Sequence, residues 1–98
     1  MAKEVVWTLR SIQDRISISQ FWTQHNKSNS YSRKLEHIFQ VAANLLSKFP
    51  DMGSPTKIPG VRIKIVRTFK VFYQANEKSI VILRIWDSRQ NPENLKVG

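Results

Sequence analysis

From Tyr31 to Phe49 the apolar positions fall at Tyr31, Leu35, Ile38, Ala42, Leu45 and Phe49, in alternating steps of four and three, and Phe39 and Leu46 widen the stripe. This is the period of a helix with one buried face, and it predicts the main core helix. Ser30 or Ser32 supplies its N-cap, and Pro50 ends it by disfavouring helical backbone at Phe49 and by lacking an N–H. Upstream, Thr8 or Ser11 caps a second helix reaching about Gln24. Ser11 and Asp14 are spaced as a capping box, and Ile12, Ile16, Ile18, Phe21 and Trp22 form its apolar side. Asn26 to Asn29 reads as the turn of a helical hairpin. Val5, Val6, Trp7 and Leu9 make a short β-prone segment before the helices. After them, three prolines and two glycines between Pro50 and Gly60 mark an irregular loop. Three strand-like runs follow: Val61 to Val66, Phe69 to Ala75 and Ser79 to Trp86. The expected fold is α+β: an N-terminal strand, an antiparallel helical hairpin, then a three-stranded antiparallel meander. The helices pack on one face of a twisted antiparallel sheet, in a single domain spanning residues 1–98.

Strand side chains alternate, and residues paired across a hairpin share a face, so the meander assigns its own faces. Val61, Ile63 and Ile65 lie opposite Arg62 and Lys64; Phe69, Val71, Tyr73 and Ala75 lie opposite Lys70, Phe72 and Gln74. An odd connection through Arg67, Thr68 and Phe69 keeps the two apolar sets together, and that connection is the one expected. The same reasoning across Asn76 to Lys78 sets Ile82, Arg84 and Trp86 beside Lys70 and Phe72. One face is then core. The other displays Arg62, Lys64, Lys70 and Arg84 around Phe72, Ile82 and Trp86.

Charge gives that second face its meaning. The chain of 98 residues carries 16 Lys and Arg against 7 Asp and Glu, a net charge of +9. Residues up to Gly53 contribute +3 and the remainder +6. From Pro55 to Ala75 stand Lys57, Arg62, Lys64, Arg67 and Lys70 with no acid, interleaved with apolar residues rather than run together as in a basic tail. Such a balance points to a polyanion or an acidic protein as partner. Two readings of the face stand side by side. Cations on edge strands discourage aggregation, whereas like charges on neighbouring strands oppose the sheet and large apolar groups on a solvated face imply a partner. No cysteine is present, which excludes disulfides, thiolate metal sites and a thiol nucleophile. No apolar run has the length of a signal peptide's core or a membrane span, so a soluble cytoplasmic protein without membrane association is expected.

Several stretches together resemble the RelE/ParE superfamily, toxins of bacterial type II toxin-antitoxin modules known for growth inhibition and plasmid stabilisation. They are the Trp7 strand, the helical hairpin ending in Leu46-Ser47-Lys48-Phe49-Pro50-Asp51-Met52-Gly53, the Gly60-Val61-Arg62 step, Phe69-Lys70-Val71-Phe72-Tyr73, and Ile80 to Ile85. The likeness runs from about Val5 to Pro92, and the tail Asp87-Ser88-Arg89-Gln90-Asn91-Pro92 is similar to that of one subgroup. RelE-like members cleave messenger RNA in the ribosomal A site, and ParE-like members inhibit DNA gyrase. The resemblance implies a cognate acidic antitoxin as partner, disordered in part until bound, and either gyrase or the ribosome and its messenger as target, with no metal and no small-molecule cofactor.

Ribonuclease action needs a base for the ribose 2′-hydroxyl, cations for the phosphorane and an acid for the leaving oxygen. Lys70 stands where RelE-like enzymes carry an arginine, Arg62 matches the Gly-x-Arg step, and Arg84 or Arg89 adds charge. The usual C-terminal histidine or tyrosine has no counterpart: Trp86 and Asp87 stand where some members have histidine. Tyr31 and Tyr73 sit on core faces. His25 and His37 lack a second ligand at metal spacing. Glu36 reads as a helix-surface carboxylate, and Asp87 as a turn-former or a partner of Arg89. The expectation is therefore a growth-arresting toxin that acts stoichiometrically through a basic target-binding face of Lys57, Arg62, Lys64, Arg67, Lys70, Arg84 and Arg89, with Phe72, Ile82 and Trp86 receiving the antitoxin. The alternatives are a RelE-type ribonuclease using Lys70 and Arg62, and a non-toxic nucleic-acid-binding relative.

Overall fold

The computed structural model describes residues 2–88. Its elements are β1 (Glu4–Trp7), α1 (Leu9–Asn26), α2 (Ser30–Lys48), β2 (Ser54–Pro55), β3 (Val61–Val66), β4 (Phe69–Ala75) and β5 (Ser79–Asp87). They form a five-stranded sheet in the order β1-β5-β4-β3-β2. The α+β architecture with a helical hairpin after the first strand is as the sequence predicts. Two details differ. β1 joins the sheet parallel to β5, with Trp7 opposite Ile82, so the sheet is mixed. The loop after α2 also contributes the two-residue strand β2, antiparallel to β3.

Thr8 caps α1: its Oγ1 accepts the Ser11 N–H at 3.1 Å, while the Ser11 hydroxyl donates back to the Thr8 carbonyl at 2.8 Å. The expected box between Ser11 and Asp14 does not form, because Asp14 is engaged by β5. α1 ends at Lys27, whose left-handed backbone (φ 53°) turns the chain into the hairpin. α2 starts after Asn29 without a side-chain cap, and the Ser28 hydroxyl accepts the Ser30 N–H instead. It stops at Phe49, before Pro50, as expected.

The core lies between α2 and the sheet. Leu35, Phe39, Ala42, Ala43 and Leu46 meet Val66, Phe69, Val71, Tyr73, Ile80, Ile82 and Ile85. Phe39 sets its ring edge-on to Phe69, with centroids 5.2 Å apart. Burying each large side chain contributes roughly 1.5–3 kcal/mol. The buried stripe of α2 is therefore Leu35, Phe39, Ala42 and Leu46, while Leu45 and Phe49, expected inside, are exposed. The two stripes share Leu35, Phe39, Ala42 and Leu46. Interdigitation with Phe69 selects the rotation that carries Phe39 inward.

The face assignment of β3 is reversed. Val66 pairs with Phe69 across only Arg67 and Thr68, an even connection. Arg67 accepts a positive φ of 58° to make that tight turn. Arg62 and Lys64 therefore lie opposite Tyr73 and Val71 on the helix side, and Val61 and Ile63 share the outer face with Phe72. The sequence offers no glycine at Arg67 to signal so short a turn, and the strain is tolerated because it aligns Val66 with Phe69 in the core. β5 holds a second reversal. A bulge between Phe72 and Tyr73 in the β4 pairing leaves Phe72 opposite Arg84 but Tyr73 opposite Ile82. One inserted residue flips the parity, so Ile82 is a core residue with 0% exposure and not an outer-face one.

Candidate interaction surfaces and the latch between them

The motif residues that are scattered along the sequence meet in one place. Tyr73 projects from β4 beneath the loop that follows α2. Its hydroxyl accepts the Gly53 N–H at 2.8 Å and donates to the Pro50 carbonyl at 2.7 Å. Gly53 is glycine for a steric reason: a Cβ there would stand 2.6 Å from the Tyr73 hydroxyl and 2.8 Å from the Ile63 carbonyl. Arg62, opposite Tyr73 on β3, donates from Nη1 to the Gly53 carbonyl at 2.7 Å and the Asp51 carbonyl at 3.4 Å, with the Asp51 carboxylate 3.8 Å from Nη2. Gly60 turns the chain into β3 with φ 80°. The Phe49-Pro50-x-x-Gly53, Gly60-x-Arg62 and Phe69-Lys70-x-x-Tyr73 segments are thus the parts of one latch. Burial pushes the Tyr73 phenol above its ordinary pKa, against the opposing pull of the Gly53 N–H and the Arg62 charge. The hydroxyl keeps its proton at neutral pH and spends it on Pro50.

The expected cations do not converge. Arg62 is taken up by the latch, and Lys64 shares its side of the sheet. Lys70 and Arg84 belong to the opposite face, where Lys70 pairs with Trp86. The Arg84 guanidinium forms a two-pronged bond to Asp14 of α1, 2.8 Å from Nε and 3.1 Å from Nη2, and lies 5.9 Å from the Trp86 ring. Lys57 and Arg67 are exposed in the loop and turn that flank β3. Arg89 lies outside the described residues. The single basic face is corrected to cations divided between two sides of the sheet, because the even β3–β4 connection turns Arg62 and Lys64 over.

The expected apolar patch is also corrected. Phe72 and Trp86 do share the outer face, but at 6% and 8% exposure they are buried in a small cluster with Val61, supported by Ile63 and Leu83. Ile82 is in the main core. His25 and His37 are exposed, and His25 stacks on Phe21 with centroids 5.7 Å apart. Among the described residues no group of three potential ligands is placed to hold a metal ion. Glu36 is the partner of Arg15, which also lies 4.3 Å from the Trp7 ring centroid. Tyr31 packs edge-on to Trp22. No helix among the described residues is long and apolar enough to cross a membrane.

Much of the exposed apolar surface is on the helical hairpin, and Ile65 of β3 with Met52 and Ile58 of the loop before it are exposed as well. Ile12 and Ile16 of α1 are exposed, as are Val41 and Leu45 of α2 and Phe49 beyond it. Beside α1, Ile18, Phe21, Trp22, His25, Phe69 and Asp87 line a groove of about 600 Å³. One sign of the hairpin surface is present in the sequence: Val41 lies outside a helical stripe that is already wide enough to fill one buried face.

Comparison with known proteins decides the family. The model for the ParE toxin of type II toxin-antitoxin systems matches residues 5–92. The chain belongs to the ParE toxin family. Among solved structures it is similar to a chain of the chromosomal ParDE toxin-antitoxin system from P. aeruginosa, with a TM-score of 0.76 and 21% identity over 88% of this chain and 96% of that one. That likeness is one of fold. A search of curated proteins returns no significant match.

Proposed function

We propose that this ParE family toxin arrests growth by stoichiometric binding to a DNA gyrase type target, and that an acidic antitoxin neutralises it. The observation that carries the reading is the commitment of Arg62. A ribonuclease needs a cation free to meet a phosphorane beside an available acid or base. Here Arg62 is spent on the Gly53 and Asp51 carbonyls, and its neighbour Tyr73 gives its proton to Pro50. Lys70 and Arg84, the remaining cations weighed for catalysis among the described residues, stand on the other side of the sheet. Asp14, the carboxylate that binds Arg84, accepts both of its guanidinium bonds and the Ile85 N–H. These arrangements favour a rigid binding module.

The test is direct. Purified protein added to a gyrase supercoiling assay is expected to inhibit at near-equimolar ratio while leaving ribosome-bound messenger RNA intact. Cleavage of that messenger at codon boundaries, abolished by Lys70→Ala, would overturn the proposal in favour of a RelE-type enzyme.

A further inference from the structure

β3 has a stretch of free edge. Val61 turns away from β4: its N–H donates to the Ile58 carbonyl and its carbonyl accepts the Thr56 N–H, each at 3.1 Å. Strand alternation gives Ile63 and Ile65 the same direction. β2 pairs with β3 only as far as Ile63, opposite Ser54, so no strand stands beside Ile65 on that side. The Ile65 N–H and carbonyl point out of the sheet, and its side chain is 58% exposed.

Three cations border this opening. Lys64 precedes Ile65, Arg67 is exposed in the turn two residues on, and Lys70 pairs with Ile65 from β4. Lys64 and Lys70 belong to opposite faces of the sheet, but an edge is reached from both, and β4 is one strand spacing away, about 4.8 Å. None of the three side chains has an ion pair or hydrogen bond among the described residues. The acids are placed elsewhere. Asp14, Glu36 and Asp51 are each held by an arginine. Glu4 lies on β1 at the opposite edge of the sheet, Glu77 in the turn at the far end of β4, and Asp87 beside the groove along α1. Lysines that guard an edge strand against aggregation account for Lys64 alone. Arg67 is in a turn, and Lys70 is on a strand paired on both sides.

The kind of partner follows from what the edge lacks. A protein interface is anchored by aromatic or large apolar groups seated in pockets, and single-stranded nucleic acid by aromatic platforms for its bases. The aromatic residues of β4 and β5, Phe69, Phe72, Tyr73 and Trp86, are all buried. Cations and an outward backbone donor remain, the groups that hold phosphates of a duplex without reading its bases. From Lys64 to Arg67 the edge extends about 10 Å, roughly three base-pair rises along one DNA strand. We propose that the free edge of β3 binds the phosphate backbone of duplex DNA through Lys64, Arg67, Lys70 and the Ile65 N–H. The contact is made with DNA alone and requires no particular target protein.

The experiment follows the anisotropy of a labelled duplex of about 20 base pairs as the full chain is added, at salt from about 0.05 to 0.2 M. Lys64→Gln with Arg67→Gln and Lys70→Gln is expected to weaken binding about 100-fold at about 0.1 M salt and to reduce the slope of log K against log salt by about 2.7. Arg33→Gln with Lys34→Gln and Lys48→Gln removes the same charge from exposed positions of α2 and is expected to leave that slope nearly unchanged. Circular dichroism checks that each variant is folded; if the edge triple is not, each single edge variant is expected to take about 0.9 from the slope. A slope that falls equally in both triples makes the binding a matter of net charge and overturns the inference, as does a wild-type chain that leaves the duplex free. Single-stranded RNA bound more tightly than the duplex, or poly-glutamate that displaces the duplex as well as unlabelled DNA does, assigns the edge to another partner and also overturns it. The supercoiling assay judges the gyrase reading separately, so either reading can fail while the other stands.

Discussion

α2 turns Leu35, Phe39, Ala42 and Leu46 onto the sheet, whereas the residues that α1 turns toward it include Ser11, Asp14 and Arg15, with Ile12 and Ile16 left in solvent. The cause is what each helix covers. α2 lies over the apolar face of the central strands. α1 runs beside β5, whose pairing with β1 stops at Ile82, so the edge of β5 beyond that point needs polar partners. Thr8 donates to the Ile82 and Leu83 carbonyls at 3.0 Å each, and Asp14 accepts the Ile85 N–H at 2.9 Å and binds Arg84. Where α1 seals the strand edge its inner side is polar, and a turn or two further on Ile18 and Trp22 pack against the core. Hydrophobic periodicity therefore reads α2 well and α1 poorly.

Mutations can break this contrast. The largest expected effect is Phe39→Ala, which opens a cavity against Phe69 and costs about 4 kcal/mol, while Ile16→Ala on α1 stays within about 0.5 kcal/mol. Urea unfolding of the two variants measures the gap, and equal losses would refute the division of labour. Asp14→Ala follows at about 3 kcal/mol, because it deprives the half-buried Arg84 of its carboxylate and the Ile85 N–H of its acceptor. Asp14→Asn, which keeps an acceptor, is expected to recover part of that loss in the same assay.

The end of α2 has a polar fixture of its own, and Tyr73→Phe probes it. Removing the hydroxyl strands the Gly53 N–H and the Pro50 carbonyl at a cost of about 2 kcal/mol. Its pH dependence has a definite sign. The phenol's pKa is raised in the folded chain above the ordinary 10.0. The stability it contributes is thus full below pH 10 and is lost as pH climbs from there through the folded value. Thermal melts of the wild type should therefore fall faster above about pH 10 than those of Tyr73→Phe. Parallel curves would show that the buried hydroxyl does not titrate. The smallest effect is Arg67→Gly, which relieves the positive φ in the β3–β4 turn and is expected to raise stability by about 0.5 kcal/mol, less than the full left-handed penalty because glycine also loses more entropy on folding. A loss of stability would mean that the arginine side chain supports the turn.

What the sequence could and could not reveal follows from the range of each interaction. The element order, the end of α2 at Pro50 and the hairpin turn at Asn26 to Asn29 were legible because they depend on neighbouring residues. The candidate site was not. Its basic face required the parity of two connections, and both were hidden: one in a turn without glycine at Arg67, the other in a bulge at the end of the apolar run from Ile80 to Leu83. A single residue of register decides the side for every residue beyond it, so two such steps undid the expected surface.

The sequence by itself determined that a strand, a helical hairpin and a meander would pack into an α+β fold with an excess of positive charge, and its spaced motifs pointed to the toxin family before any contact was known. Only the tertiary structure decided that those motifs close a latch around Tyr73, that the cations divide between two sides of the sheet, and that the helical hairpin keeps an open apolar surface. Local pattern fixes which elements form, because helix and strand periods are written in adjacent residues. Register and edge pairing fix what those elements present, because they depend on residues brought together from opposite ends of the chain.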